Sequence, residues 1–370
     1  MSKFTVRLYQ FSLAIPKLCL KWIRKKPEKV NSILVAHNLL LGDTVMLVPL
    51  LSRLRARYPN SRICLLCKKP FIALLKNNPY QITLCAYSPC DLQSVRQIVR
   101  QGPFDLAFIP GENRYSWLAL AAGSRWITGH KASAFSWKSL PLNEMQKYPQ
   151  TAMAWSDAIA SLVPGPQPES IPWQAEGLTP LSNKRYVVLH VGASTPTRFW
   201  PAERWFALAQ WLLDKGYMPV WSSGRKEIAL IEAADPEQRF TRYAGVLSSG
   251  GLLSLLKNAV FVVCPDTGVA HVAKLVNVPT LILYGPGNPV AFGKGHFWSG
   301  NIIISSGFNK IDCRDQQELF SRKVQWLYRC GRNETTCKNF SNGYSACMLS
   351  ISLDDVKKAV NTLTEIKYYD

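Results

Sequence analysis

The chain has 370 residues, of which 47% are hydrophobic; this is a globular composition, and the length exceeds that at which one core usually stops growing, so two domains are expected. The net charge is +20, and residues 1–76 alone hold 15 basic and 2 acidic side chains. No helix-turn-helix, zinc-finger or aromatic RNA-binding signature accompanies this charge, so it favours an anionic surface such as a membrane leaflet over nucleic acid.

The first 26 residues carry a basic amphipathic pattern. Apolar residues recur at spacings of four and three, which places them on one helical face: Phe4, Leu8, Phe11, Ile15, Leu18 and Trp22. The uncharged run 8–16 is far shorter than the roughly 20 residues that a bilayer requires, and no small-residue cleavage site follows it. The pattern predicts either a helix lying in a membrane interface or a helix docked on the protein's own surface.

Apolar runs that are typical of buried strands then alternate with helical periodicity. The predicted strands are Ile33–Ala36, Ile63–Cys67, Ile82–Ala86, Leu106–Ile109 and Trp126–Thr128, followed by Tyr186–His190, Met218–Ser222, Phe261–Cys264 and Thr280–Tyr284. Such alternation predicts an α/β fold with parallel sheets covered by helices on both faces. Residues 163–183 contain five prolines, which is typical of a connector.

These patterns divide the chain into five predicted segments. They are a basic N-terminal segment at 1–30, an N-terminal domain at 31–163, a Pro-rich linker at 164–183, a C-terminal domain at 184–350, and a C-terminal helix within 351–370.

Three strand–turn–helix units place small or polar residues directly after a strand or its loop. The turns are Gly42-Asp43, then Gly192-Ala193-Ser194 with Thr195 and Arg198, and finally Asp266-Thr267-Gly268 with His271 one helical turn on. A parallel sheet brings such turns to its carboxyl edge, where the free N–H groups that open the next helix attract anions. The turns indicate a nucleotide sugar as the ligand; an isolated Asp-Thr-Gly would more often be a simple helix N-cap.

Other motifs narrow the chemistry. No Gly-x-Gly-x-x-Gly turn is present, which disfavours a dinucleotide-dependent oxidoreductase, and no cofactor is expected. No Asp-x-Asp motif, the usual metal-binding motif of sugar transferases, is present either. If a nucleotide sugar loses its diphosphate here, protein cations and helix N-termini would neutralise that diphosphate, with no metal.

Four cysteines cluster late in the chain, at Cys313, Cys330, Cys337 and Cys347. Their spacing is looser than in zinc sites, which favours free thiols and leaves a local disulfide or metal open.

The three motifs, in this order and spacing, resemble glycosyltransferase family 9, the heptosyltransferases that build the inner core of lipopolysaccharide. Pro49, Trp200-Pro201, Val278-Pro279-Thr280 and Tyr284-Gly285-Pro286 extend the match, while Arg198 stands where many members have Lys. The resemblance implies two Rossmann-like parallel-sheet domains facing a cleft, the GT-B type, with the last helix crossing back onto the first domain. It also implies ADP-heptose as donor, an anionic glycolipid as acceptor, and a cytoplasmic enzyme peripheral on the inner face of the bacterial inner membrane.

Residue roles follow from this resemblance together with the chemistry of the side chains. Asp43 is the predicted base for the acceptor hydroxyl, with a helix N-cap as the alternative role. Arg198 would neutralise the diphosphate, and Glu227 would hold the nucleoside ribose or else be an exposed helix charge. The remaining donor-binding residues are the hydroxyls of Ser194 and Thr195, the N–H groups of Thr267 and Gly268, Asp266 for sugar hydroxyls, and His271 in support.

The leading functional hypothesis is an inverting, metal-independent transfer of heptose from ADP-heptose to a lipopolysaccharide core acceptor. Single displacement would invert the anomeric centre, and the chain offers no obvious second carboxylate as nucleophile. The alternatives are a transferase of another nucleotide sugar, a nucleotide-sugar epimerase on the same fold, and a non-enzymatic basic scaffold that binds membranes. The intact Asp43 and Asp266 argue against the scaffold.

Overall fold

The computed structural model describes residues 3–175, 181, 185–308 and 311–369, with side chains up to residue 366. Part of the predicted linker, 164–183, therefore lies outside the described residues. The chain forms two compact units, the first of Met1–Ser170 with Glu318–Trp326 and the second of Ile171–Gln317 with Leu327–Asp370. The segment Glu318–Trp326 lies within the predicted second domain, but it belongs to the first unit because its residues hydrogen-bond to loops of the first sheet.

The first unit is built on a six-stranded parallel sheet. Its strands are β1 (Ser32–Val35), β2 (Arg62–Cys67), β3 (Thr83–Ala86), β4 (Leu106–Ile109), β5 (Trp126–His130) and β6 (Glu144–Gln146), in the spatial order β3-β2-β1-β4-β5-β6. Its helices are α1 (Lys3–Leu18), α2 (Leu41–Val45), α3 (Val48–Arg57), α4 (Ile72–Leu75), α5 (Leu92–Gln101), α6 (Ser116–Ala121) and α7 (Trp155–Ala160).

The second unit repeats this plan. Its parallel strands are β7 (Tyr186–His190), β8 (Met218–Ser223), β9 (Thr241–Ala244), β10 (Val262–Pro265), β11 (Thr280–Tyr284) and β12 (Ile303–Gly307), in the order β12-β11-β10-β7-β8-β9. Its helices are α8 (Ala202–Asp214), α9 (Ile228–Ala234), α10 (Ser249–Lys257), α11 (Gly268–Leu275), α12 (Ala346–Leu349) and α13 (Leu353–Tyr369).

Two short antiparallel hairpins complete the chain. In the first unit, β13 (Glu318–Leu319) pairs with β14 (Arg322–Lys323), and in the second unit, β15 (Phe340–Ser341) pairs with β16 (Tyr344–Ser345).

Both sheets are doubly wound, which confirms the predicted fold class of two Rossmann-like parallel-sheet units. Central strands such as β7 and β11 are buried along their whole length, because helices cover both faces. The strand order reverses between β1 and β4 in the first sheet and between β7 and β10 in the second. Ligands of open parallel sheets bind beyond the carboxyl ends of the strands at such reversals, so each unit has one expected binding edge.

Helix α1 docks on the first unit through part of its surface. Val6 and Ala14 are buried in the first core, and the ring of Phe11 lies edge-on to Trp117 of α6 at 5.0 Å. Other apolar side chains of the predicted stripe stay exposed, namely Phe4, Leu8, Ile15 and Trp22. The helix therefore packs on its own unit, which was one of the two structures predicted from the sequence. It also presents exposed apolar side chains to solvent. Within the part of the chain that the structure describes, no helix is long and apolar enough to cross a membrane.

The last helix, α13, packs in the second unit. Val356, Val360 and Leu363 are buried in the second core, and the helix lies against β11, β12 and α8. The resemblance implied a crossing back onto the first domain, whereas these packing contacts are all with the second unit.

Candidate functional site

Two of the predicted turns meet at the strand reversal of the second sheet. Gly192 follows β7 and Asp266 follows β10, and these two strands are hydrogen-bonded neighbours. Helix α11 starts at Gly268, after Thr267 in an extended conformation, so the first N–H groups of the helix open at this edge. This is the arrangement in which a parallel sheet binds an anionic ligand.

Arg198 lies directly against Asp266 at this edge. Its Nη1 donates a 2.6 Å hydrogen bond to the Asp266 carbonyl oxygen and lies 3.8 Å from the carboxylate atom Oδ2. The Asp266 side chain is buried, whereas the Arg198 side chain is 28% exposed. A partly exposed guanidinium held beside a helix N-terminus provides a fixed positive charge for a phosphate group.

The Asp266 carboxylate packs against Gly287, in the loop that follows β11. A Cβ at Gly287 would overlap Asp266 Oδ2, so only glycine permits this close approach. The buried Tyr284 lies at the same place, and its pKa is raised well above the ordinary value by burial first and by the Asp266 charge second. The loop is fixed in turn by Arg314, whose Nε donates to the Gly285 carbonyl oxygen at 2.7 Å.

Glu227 lies against the Gly192 turn, which follows β7. Its Oε2 accepts a 2.9 Å hydrogen bond from the Gly224 N–H, and a Cβ at Gly192 would overlap the same oxygen. Burial raises the pKa of the Glu227 carboxyl. The carboxylate is thus half-buried beside the Gly192 turn and caps the Gly224 N–H, and its contact with a ribose stays a prediction.

His271 is buried on α11, and Lys274 lies one turn further along the same helix. Lys274 Nζ is 3.2 Å from His271 Nδ1 and also donates to the carbonyl oxygens of Phe292 and Gly293. Burial, followed by the charges of Lys274 and Arg198, holds the pKa of His271 well below its ordinary value. Because Lys274 faces Nδ1, a neutral His271 carries its proton on Nε2.

The structure thus brings together most of the predicted donor-binding residues. Arg198, Asp266 and His271 form one group, and Glu227 with Gly192 forms a second group on the neighbouring strand ends. Ser194 is exposed at the turn, and the Thr195 hydroxyl lies 3.2 Å from that of Thr197. Sequence reasoning missed Lys274, although a lysine three residues after His271 in an apolar helix was a usable signal.

Asp43 lies in the first unit, beyond the carboxyl end of β1. It is the third residue of α2, and its Oδ2 accepts a 3.1 Å hydrogen bond from the Leu40 N–H. The N-cap position itself belongs to Leu40, but the Asp43 side chain does cap the start of α2, as the third residue of a capping box, and this role is compatible with that of a base. The hydrogen bond fixes the carboxylate at the strand reversal between β1 and β4, where the first sheet has its expected binding edge.

Two histidines of the first unit are buried as neutral groups. The ring nitrogens of His37 and His130 have no hydrogen-bond partner among the described residues. Burial lowers the pKa of each to about 3, with the charge of Lys68 contributing at His37 and that of Arg322 at His130. Each histidine binds a proton more readily in the unfolded chain, where its pKa is near 6.5.

Acid is therefore expected to destabilise the first unit in a defined window. Between pH 6.5 and 3 the unfolded state binds protons that the folded state does not, so the free energy of unfolding falls as the pH falls. From pH 7 to pH 5 the loss is about 2 kcal/mol for each such histidine. Denaturant unfolding at both pH values measures it, and His130→Asn should lose less stability than the wild type over this interval. Equal losses for the two proteins would show that His130 is not the source.

All ten cysteines are free thiols in the structure, and all lie within the described residues. Arg332 Nη1 lies 3.5 Å from Cys330 Sγ, and Cys347 Sγ lies 3.1 Å from Ser345 Oγ. Among the described residues, no group of three or more His, Cys, Asp or Glu side chains has the arrangement to hold a metal ion.

Two doubly wound parallel-sheet units form an architecture that nucleotide-sugar glycosyltransferases share with other enzymes, so the family has to be shown by comparison with known proteins. The family model of glycosyltransferase family 9 (heptosyltransferase) matches residues 92–323. The chain belongs to this family, and it is a glycosyltransferase.

Curated relatives agree with this assignment. Lipopolysaccharide heptosyltransferase 1 of Pseudomonas aeruginosa is 31% identical over 150 residues, which cover 39% of this chain and 42% of the relative. Lipopolysaccharide heptosyltransferase 3 of Escherichia coli is 22% identical over 313 residues, which cover 75% of this chain and 90% of the relative. The match thus spans less than half of the first relative and most of the second.

Solved structures share the fold. A glycosyltransferase of family 9 from Veillonella parvula superposes with a TM-score of 0.71 at 18% identity, covering 92% of this chain and 98% of that one. The ADP-heptose lipopolysaccharide heptosyltransferase II of E. coli superposes with a TM-score of 0.67 at 18% identity, covering 91% and 99%.

Proposed function

We propose that the protein transfers a heptose from ADP-heptose to a lipopolysaccharide core acceptor, with inversion and without a metal ion. The observation that carries this proposal is the contact of Arg198 with Asp266 at the start of α11. There a cation, helix N–H groups and a carboxylate lie where the diphosphate and the sugar hydroxyls of a nucleotide sugar would bind. Family membership supports heptose as the sugar.

The proposed reaction is a single displacement. The acceptor hydroxyl oxygen attacks the anomeric carbon, its proton passes to Asp43, and the bond from that carbon to the diphosphate oxygen breaks. Negative charge that develops on the diphosphate is taken up by Arg198 and by the N–H groups of Thr267 and Gly268. Attack opposite to the leaving group inverts the anomeric centre. Because these protein groups supply the positive charge, the proposal includes no metal ion.

The donor is proposed from the relatives together with the site. One related structure is a heptosyltransferase of E. coli solved with ADP, and another was solved with ADP-2-deoxy-2-fluoro heptose. In this chain Glu227 is placed beside the Gly192 turn, where it would accept hydrogen bonds from the ribose hydroxyls.

Calorimetric titration with ADP, UDP, GDP and CDP tests the donor. We expect ADP to bind the full chain more tightly than the other three nucleotides. We also expect Glu227→Gln to weaken the binding of ADP more than the binding of inorganic diphosphate. Tighter binding of another nucleotide would support a transferase of a different sugar, and no binding of any would support the scaffold alternative.

We further propose that the first unit rests on the anionic inner face of the inner membrane. The segment 135–140, which also has exposed apolar side chains, contacts α1 and the residues after it: Phe11 lies 6.0 Å from Trp137, and Lys21 Nζ donates to the Leu140 carbonyl oxygen at 2.8 Å. Basic residues flank this apolar surface: Lys3, Arg7, Lys17, Lys21, Arg24, Lys25 and Lys26. Such a surface matches an anionic leaflet in both charge and apolarity.

Replacing exposed apolar residues of α1 is expected to release the protein from vesicles. Leu8→Ser with Ile15→Ser removes apolar area that would enter the bilayer, and we expect binding to fall on the order of 10-fold or more. The fold should persist, because both side chains are exposed while Val6 and Ala14 remain buried.

Co-sedimentation with anionic vesicles at low and high salt measures this change. Leu213→Ser with Val246→Ser, which alters exposed residues of the second unit, is the matched control and should bind as the wild type does. Added salt should weaken wild-type binding by screening. Equal sedimentation of the α1 variant and the wild type would contradict the membrane proposal.

A further inference from the structure

Arg322 is a buried cation in the first unit with unused hydrogen-bond donors. It is 1% exposed, although it lies on the short hairpin strand β14. Its Nη2 donates to the Gly111 carbonyl oxygen at 3.0 Å, to Asn113 Oδ1 at 2.9 Å and to the His130 carbonyl oxygen at 3.2 Å. Its Nε and Nη1 are buried and have no partner among the described residues. Three of the five N–H groups of the guanidinium therefore lack an acceptor within the described part of the chain.

The surroundings of Arg322 leave its charge without a dedicated counter-ion. Glu112 is the carboxylate whose charge reaches it, but the Glu112 carboxylate is bound by the guanidinium of Arg114. The other neighbours are the Tyr148 ring, 6.0 Å away, and the neutral His130. Burial lowers the pKa of Arg322 to about 10, so the side chain is still cationic at neutral pH. A buried cation without a counter-ion is unfavourable, and an anion that binds there would lower this penalty.

The position of Arg322 connects it to the loop of the proposed base. The Gly111 carbonyl oxygen accepts a hydrogen bond from Arg322. Gly111 itself is close to Leu39 and Phe320: a Cβ added to this glycine would be 3.3 Å from Leu39 Cδ1 and 3.9 Å from Phe320 Cε1. Leu39 is part of the loop that leads from β1 to Asp43. A group bound by Arg322 would therefore lie at the same sheet edge as Asp43, beyond the carboxyl ends of β4 and β5.

We propose that Arg322 binds an anionic group of the acceptor, a carboxylate or a phosphate, through its Nε and Nη1 hydrogens. This inference rests on the proposed function, since it places the acceptor in the first unit beside Asp43. The His130 ring nitrogens are buried and have no hydrogen-bond partner in the described ranges, and the one that carries the proton would offer a further donor to the same anion. These atoms are buried, so the proposal requires the hairpin of β13 and β14 to shift when the acceptor binds.

Binding of small anions tests the site without any transfer reaction. Inorganic phosphate and acetate are titrated at constant ionic strength into full-length protein that carries Arg198→Ala, which weakens the anion site of the second unit. We expect Arg322→Gln to weaken the binding of at least one probe by roughly 10- to 100-fold, as for a lost charged hydrogen bond. Arg322→Lys keeps the charge and serves as a second variant if the glutamine variant does not fold. Unchanged binding of both probes in the folded variant would overturn the proposal, and the buried donors would then be satisfied by water.

Kinetics with matched acceptors identify the group that Arg322 binds. The value of kcat/KM is compared for the intact acceptor, its dephosphorylated form and its carboxyl-esterified form. We expect Arg322→Gln to lower kcat/KM for the intact acceptor on the order of 100-fold, and to have little effect on the form that lacks the recognised anion. Equal loss with all three acceptors would show that Arg322 only holds the loops together, and would contradict the proposal. If the wild type transfers heptose to no acceptor, the proposed function fails, whereas the phosphate and acetate titrations still decide the role of Arg322.

Discussion

Asp43→Asn is expected to bind ADP as tightly as the wild type and to lose turnover on the order of 100-fold or more, as for a lost general base. The asparagine Oδ1 can still accept the hydrogen bond from the Leu40 N–H, so the start of α2 should stay intact. What the variant lacks is a group able to accept the acceptor's proton. Steady-state turnover and ADP titration, measured on the same preparation, separate these two effects.

A second carboxylate at a helix start provides the control for this variant. Asp91 is the N-cap of α5 in the same unit and accepts from the N–H groups of Gln93 and Ser94. Asp91→Asn should keep its turnover within a small factor of the wild type. Near-normal turnover of Asp43→Asn would remove Asp43 from the mechanism.

Arg198→Ala is expected to weaken ADP binding by roughly 10- to 100-fold, the effect of losing a charged hydrogen bond. Adenosine, which has no diphosphate, should bind this variant almost as well as it binds the wild type. The difference arises because the Arg198 guanidinium lies at the start of α11, where the diphosphate would bind, and not beside Glu227. Calorimetric titration of both ligands measures the two affinities.

Arg242→Ala is the matched control. Arg242 is an exposed arginine of β9, and its side chain donates a hydrogen bond to Gln238 Oε1. It should bind both ligands normally. Equal weakening of ADP and adenosine in Arg198→Ala would place Arg198 outside the diphosphate site.

The central strands of both sheets and one edge strand, β3, could be predicted from the sequence, and the other three edge strands could not. Nine runs of apolar residues were predicted as strands, and each corresponds to a strand of β1–β5, β7, β8, β10 or β11. The unpredicted strands β6, β9 and β12 all lie at sheet edges. Their side chains are largely exposed or half-buried, as in Thr241–Ala244. Strands β6 and β9 lack the apolar run that marks a strand covered on both faces, and β12 has only the short run 302–304 before its serines.

The proposed donor site could be predicted from the sequence because its residues stand in local turn motifs. Gly192, Arg198 and Asp266 each lie close to the end of a strand, and the order of a doubly wound sheet brings those strand ends together. Arg322 could not be predicted in this way. It is more than 190 residues from the His130 loop that it contacts, and only the folded structure shows that its hairpin belongs to the first unit.

The most direct test of the account is a transfer assay with purified full-length protein, ADP-heptose and a lipopolysaccharide acceptor truncated in its core, in the presence of EDTA. Mass spectrometry of the product and quantification of released ADP are read together, and NMR reports the anomeric configuration. We predict one added heptose for each ADP released, with inverted configuration and undiminished rate in EDTA. No transfer from ADP-heptose, while another nucleotide sugar is consumed by the same preparation, would contradict the account.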